Sequence, residues 1–157
     1  MDKELHRIVT TAIVYKDFSY LIAKRALHKI VKPGKWAVVG GGLLIDDYIN
    51  TPPSTKESNQ WYGAIEKALR REVKEETNLE IGKPEFLTDL TFIRPDGIPV
   101  LCLSYFAPYI SGEVKIDGDH TEYAWVSAKE AESYDLIEGI LGEIQEVDTI
   151  LKKRNLS

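Results

Sequence analysis

REVKEETNL, residues Arg71 to Leu79, sets three glutamates in nine residues behind an arginine, with Val73 and Leu79 as the only clearly apolar members. At 100° per residue, with Glu72 at zero, Glu75 falls at about −60° and Glu76 at about +40°, so the three carboxylates share a sector of roughly 100°. Ile65, Ala68, Leu69 and Leu79 lie within about 60° of Glu72, whereas Lys67, Arg70 and Lys74 lie on the far side. The acids therefore continue the apolar stripe instead of opposing it. At an effective dielectric of 20, two carboxylates about 5 Å apart repel by roughly 3 kcal/mol, and partial burial adds desolvation. Arg71 reaches Glu75 at the i,i+4 spacing, but one arginine does not neutralise three acids. A divalent cation that prefers hard oxygen ligands, Mg²⁺ or Mn²⁺, is the simplest compensation.

The segment carrying these acids, Gly63 to Thr77, is rich in strong helix formers and predicts a helix. Upstream, Ile8–Tyr15 and Tyr20–Arg25 are strand-like runs separated by a KDFS turn, which predicts a hairpin, and a short strand is expected at Trp36–Val39. That strand ends in Gly40 to Gly42, where the missing Cβ atoms allow a tight turn or close approach of a ligand. Downstream, Phe86–Ile93, an RPDG turn and Val100–Tyr109 form a second hairpin pattern, followed by a strand at Tyr123–Val126. Ile137, Ile140, Leu141, Ile144, Val147, Ile150 and Leu151 then repeat at helical spacing, predicting a helix packed on a sheet. Strands on both sides of a central helix indicate an α+β architecture with mixed or antiparallel sheets.

The chain of 157 residues is one domain's length, and its 43% hydrophobic and 29% charged composition is ordinary for a globular protein with one core. A formal charge of −5 argues against a broad surface for a nucleic acid polymer. Cys102 is the only cysteine, so no internal disulfide forms; within VLCLSYF it reads as a buried, inert thiol in a reducing compartment. The N-terminus lacks signal-peptide order and no apolar run approaches the roughly 20 residues that span a bilayer. The expected location is cytoplasmic, without membrane association. INTPPSTKESNQ, Ile49 to Gln60, is polar and proline-containing and reads as a surface loop.

Together these residues resemble the signature of the Nudix hydrolase family: a Gly, five spacers, a Glu, seven spacers, then Arg-Glu-apolar-x-Glu-Glu-x-Gly-apolar. Arg71, Glu72, Val73, Glu75, Glu76 and Leu79 match its second half in register. KWAVVGGG resembles the family's Trp-x-x-Pro-Gly-Gly approach, LIAKR its second strand ending in Arg, and TEYAWVSAKEA the strand before its last helix. Val39 stands where Pro is usual, and Asn78 replaces the final Gly, a mild change because Asn also tolerates a left-handed cap. If Gly41 opens the motif, five spacers lead to Asp47 in place of Glu, and Tyr48 to Arg70 holds 23 residues instead of seven. This implies a single Nudix domain over 1–157 with a loop inserted at about 48–63. Asp47, Glu57 or no residue takes the part of the missing Glu.

The resemblance implies a Nudix-type α/β/α sandwich with a mixed β-sheet, a central glutamate-bearing helix and a C-terminal helix. It implies a divalent-metal-dependent pyrophosphohydrolase acting on the diphosphate linkage of a small nucleotide substrate by water attack on phosphorus. The alternative is a catalytically weak Nudix-fold nucleotide-binding or sensing module, suggested by the altered first half of the motif. By position, Glu72, Glu75 and Glu76 would be metal ligands, Glu75 being either a ligand or the base that deprotonates water, and Arg71 would orient the acids. Glu122, in HTEY, would be a further ligand or the base, or else a surface residue. Gly40 and Gly41 would bring backbone amides to metal-bound phosphates or merely turn the chain, and Arg25 would contact a phosphate or lie on the surface. Trp36 and Trp125 read as core residues. Trp61, Tyr62, Phe92, Arg94 and Tyr105 are candidates for base recognition by position alone. His6, His28 and His120 show no metal-ligand spacing and read as solvated or core residues. An exposed edge strand or the inserted loop leaves room for a homodimer.

Overall fold

The computed structural model describes residues 2–156. Strand β1, Arg7–Lys16, turns through Asp17, in a left-handed conformation at φ 56°, into β2, Ser19–Arg25. Two short strands follow, β3 at Trp36–Ala37 and β4 at Val39–Gly42. A 3₁₀ turn at Ile45–Asp47 and the segment 48–63, which holds no helix or strand, lead to α1, Ala64–Thr77. The rest runs β5 (Glu80–Ile81), β6 (Glu85–Ile93), β7 (Pro99–Ser111), β8 (His120–Val126), α2 (Ala128–Ala131) and α3 (Ile140–Leu156).

The sheet is mixed. β1 and β7 pair in parallel along nine positions, from Arg7 opposite Val100 to Tyr15 opposite Pro108, and β6 returns antiparallel on the far side of β7. The other edge of β1 is shared: Tyr15 and Lys16 pair with β2, while Val9–Ala12 pair with β4. β2 continues outward to β3 and β8. Because helices cover both faces, β1 and β2 read as continuous apolar runs whose alternate residues enter two different cores. Ala12, Val14, Leu21 and Ala23 pack with Leu69 and Val73 of α1, whereas Ile13, Tyr20 and Ile22 pack with Ile144 and Val147 of α3. This is the α/β/α sandwich of the sequence reading.

Three local expectations change. The strand expected at Trp36–Val39 divides at Val38, and the glycine triplet lies in the second strand rather than beyond it. Gly40 adopts φ 155°, and a Cβ there would run into the Thr10 carbonyl of β1, so only glycine lets β4 pair at this spacing. The last helix starts at Ile140, not Ile137: Leu136 bridges to Trp36, the Ile137 amide donates to the Trp36 carbonyl, and Gly139 at φ 97° breaks the path between strand-like and helical backbone. α1 ends at Asn78 in the left-handed cap conformation, φ 67°, whose N–H donates to the Lys74 carbonyl. The segment 48–63 is exposed for the most part and pinned by its aromatics: Trp61 packs on Tyr48 at 5.4 Å and its indole N–H donates to the Thr51 carbonyl.

Candidate active site

α1 lies across β4, and its buried positions are Ala68, Leu69, Val73, Glu76 and Thr77. On the helical wheel these centre some 60–70° to one side of Glu72. The acids therefore do not face inward equally. Glu76 is only 7% exposed, Glu72 sits at the edge of the buried face, and the Glu75 side chain is 58% exposed. Glu72 sets its carboxylate against the Cα of Gly41, in the space a side chain at that position would need. The Gly40 N–H donates to Glu76. The glycine strand thus serves two purposes, close strand pairing at Gly40 and room for a carboxylate at Gly41.

Arg71 organises the cluster. Its Nε and Nη2 donate to Asp47 Oδ1 and Oδ2 at 2.5 and 3.1 Å, Nη2 also donates to the Gly42 carbonyl at 3.0 Å, and Nη1 donates to Glu72 at 2.8 Å and Glu75 at 3.1 Å. Such a fork holds a carboxylate bidentately while leaving a donor for each glutamate. The Asp47 side chain is 2% exposed, and the Arg71 hydrogen bond holds its carboxyl below the usual range despite burial. Of the alternatives left open by the sequence, Asp47 is the acid that meets Arg71, one turn of chain ahead of the loop 48–63.

Glu76 is the most perturbed acid. Burial first, then the charges of Glu72 and Asp117, push its pKa to about 9 against the opposing Gly40 hydrogen bond. Further contacts to Glu76 come from the start of β8. His120 Nε2 lies 3.3 Å from Glu76 Oε2, and its Nδ1 lies 2.8 Å from Asp117 Oδ1. Sequence reasoning read His120 as unremarkable and favoured Glu122, two residues on. The structure instead pairs Glu122 with Lys24 at 3.3 Å, with its side chain 57% exposed, away from the cluster. A bulge explains the exchange: one step from Lys24 to Arg25 is matched by two steps from Glu122 to His120, which turns His120 and Glu122 to opposite faces. His120 beside an acidic turn, D-G-D-H, was the available signal.

Arg25 lines a neighbouring cleft that meets the acid cluster only at the glycine strand, none of the α1 acids being in its wall. Its Nε donates to the Val31 carbonyl at 2.7 Å, and burial lowers its pKa although Glu76 and Asp119 pull the other way. Gly40 and Gly41 form part of the cleft wall, and the cavity, about 690 Å³, extends along the sheet past Phe92 and Arg94 to the start of α3. Of the other aromatic candidates, Tyr105 packs in the α1-side core against Phe86, and Trp61 is committed to its own loop; neither lines this cavity. Trp36 and Trp125 pack against the two cores. Cys102 is buried, and burial raises its thiol pKa.

Among the described residues, no three His, Cys, Asp or Glu side chains stand together in a metal-holding arrangement. Glu72 and Glu76 are together, while Glu75 is turned to Arg71. The donor chemistry nevertheless fits a hard divalent cation: two adjacent carboxylates, one buried with its proton affinity raised by its neighbours, beside a glycine that leaves space.

A family model described as the NUDIX domain matches residues 5–143. The nucleoside triphosphatase NudI of Escherichia coli O139:H28 (strain E24377A / ETEC) is 31% identical over 144 residues, covering 83% of this chain and 88% of that protein. NudI of Shigella flexneri serotype 5b (strain 8401) matches equally. Among solved structures, a MutT NUDIX hydrolase from Burkholderia pseudomallei superposes with a TM-score of 0.70 at 21% identity, covering 92% of this chain and 99% of that one. The NUDIX domain of Shewanella oneidensis NrtR, solved with ADP-ribose, superposes with a TM-score of 0.67 at 19% identity, covering 94% and 90%. The chain belongs to the Nudix hydrolase family. It is an enzyme of the pyrophosphohydrolase type, and its family acts on small nucleotide substrates.

Proposed function

We propose that this enzyme is a divalent-metal-dependent hydrolase that cleaves a phosphoanhydride bond of nucleoside triphosphates by water attack on phosphorus. The observation that carries this reading is the Glu72–Glu76 pair set against the Gly40–Gly41 strand and organised by Arg71. The substrate class follows from the NudI relatives, which are named as nucleoside triphosphatases.

A cation bound at Glu72 and Glu76 would screen the phosphate charges, polarise a phosphoryl oxygen and lower the pKa of the attacking water. Glu75, the carboxylate of the trio open to solvent, accepts the proton of that water. Arg71 does not touch substrate; it holds Glu72 and Glu75 in register and is itself held by Asp47. Arg25, half-buried in the cleft wall, contacts a phosphate oxygen and balances part of the charge that the acids leave. The Gly40–Gly42 strand keeps the wall thin enough for phosphates to approach. His120 positions Glu76 and is not assigned a proton-transfer role.

The alternative of a binding module drew on the altered first half of the motif, and the pairing of Asp47 with Arg71 supports the hydrolase reading over it. The test is release of phosphate or pyrophosphate from a panel of nucleoside triphosphates, sugar nucleotides, ADP-ribose and dinucleotide polyphosphates, with and without Mg²⁺ or Mn²⁺. Metal-dependent cleavage of triphosphates, lowered about a hundredfold or more in Glu76→Gln, is expected. Equal turnover by that variant would refute the assignment.

A further inference from the structure

The cavity that begins at Arg25, Gly40 and Gly41 ends under the first turn of α3, where Glu143 projects into it. The Glu143 carboxylate accepts a hydrogen bond from Ser104, but its Oε1 atom is buried and receives none from any described residue. Around it stand polar groups of the sheet: Thr11, whose hydroxyl donates to Ser104 Oγ at 3.4 Å, and Cys102, on which the Glu143 charge acts. Leu90, Phe92 and Val100 supply apolar surface to the same wall, which Arg7 and Arg94 also share. A partly apolar slot with one carboxylate oxygen left without a partner, in the same cavity as the glycine strand, is the form of a site that reads a flat heterocycle by a directed contact.

The geometry points to Glu143 as the residue that selects the base, accepting through Oε1 an N–H of an exocyclic amino group, so that amino-bearing bases are preferred over their oxo or deamino counterparts. This rests on the proposed nucleotide substrate and extends it to the base. Ionised, Glu143 takes the adjacent ring N–H and amino group of guanine; protonated on its other oxygen, it takes the amino group of cytosine or adenine and donates to the neighbouring ring nitrogen. Uracil sets a carbonyl oxygen where the amino group belongs, and hypoxanthine lacks the 2-amino group of guanine. A site left with an unpaired buried acceptor discriminates against such ligands.

Two matched pairs, CTP with UTP and GTP with ITP, measure the preference as ratios of kcat/KM, and binding of the monophosphates CMP, UMP, GMP and IMP measures it without anhydride cleavage. Wild type is expected to favour the amino-bearing member of each pair by about tenfold to a hundredfold in both readouts. Glu143→Leu brings the ratios to about one, and Glu143→Gln, which keeps a carbonyl acceptor, retains part of them. Both variants are expected to unfold close to wild type, since removing a half-buried carboxylate is offset by the loss of its Ser104 hydrogen bond. Equal treatment of each pair by wild type, or a preference that survives in Glu143→Leu, overturns the inference. If no triphosphate is cleaved but the monophosphates discriminate through Glu143, the hydrolase reading fails and the base-selection site stands; absence of both turnover and binding removes both.

Discussion

Arg71 concentrates more of the site's geometry in one side chain than any other residue, and its partner Asp47 is the clearest residue-scale test. Asp47→Ala leaves Arg71 its bonds to Glu72, Glu75 and the Gly42 carbonyl but removes the bidentate one, and is expected to cost about 1.5 kcal/mol in urea unfolding, together with a loss of turnover as the guanidinium that holds Glu72 and Glu75 loses its own anchor. A loss of turnover with unchanged stability would show that the pair does not organise the fold here. Gly41→Ala puts a methyl group into the Glu72 carboxylate; turnover is expected to fall steeply while far-UV circular dichroism stays native. The glutamates and Arg71 were legible in the sequence because helical periodicity fixes their relative directions. Their differing exposure was not: whether the buried face centres on Glu72 or beside it depends on how α1 rolls against β4, which no single-helix pattern records. His120 was missed for a related reason, since a one-residue bulge puts His120 and Glu122, which would share a face in a regular strand, on opposite faces.

At the scale of elements, strands β1, β2, β6 and β7 were expected within a few residues of their ends, since β-branched runs between turn signals leave little latitude. The division at Val38 and the late start of α3 were not legible, because each depends on a partner distant in sequence: β1 captures the glycines, and Trp36 captures Leu136 and Ile137. The end of α3 is tied to β6 by Arg154, whose guanidinium donates to both oxygens of Glu85 at 2.7 and 2.8 Å. That hydrogen bonding lowers the Glu85 pKa from its ordinary 4.5. A depressed acid pKa means the unfolded state binds more protons near that value. The contribution to stability is therefore whole above about pH 4.5 and is lost as pH falls through the folded-state value. The melting temperature of wild type should fall towards that of Glu85→Gln below pH 4.5, with the larger gap above it; a gap independent of pH would show that the ion pair contributes nothing.

For the whole molecule, two cores divide the labour: the α1 side carries the acids, and the α3 side closes the sheet and forms the far end of the cavity. Val147→Ala in the α3-side core is expected to cost about 2 kcal/mol in unfolding free energy while leaving the metal response of the remaining folded protein intact. Were metal affinity to fall in step with stability, the two faces would not be separable.

The central claim is that buried anionic charge on α1 is compensated by a bound cation, and isothermal titration of Mg²⁺ and Mn²⁺ into the protein tests it most directly. The expected result is saturable binding by wild type that disappears in the Glu72→Gln, Glu76→Gln double variant while circular dichroism stays native. Binding of equal affinity and stoichiometry in that variant, or none in wild type, would contradict the account.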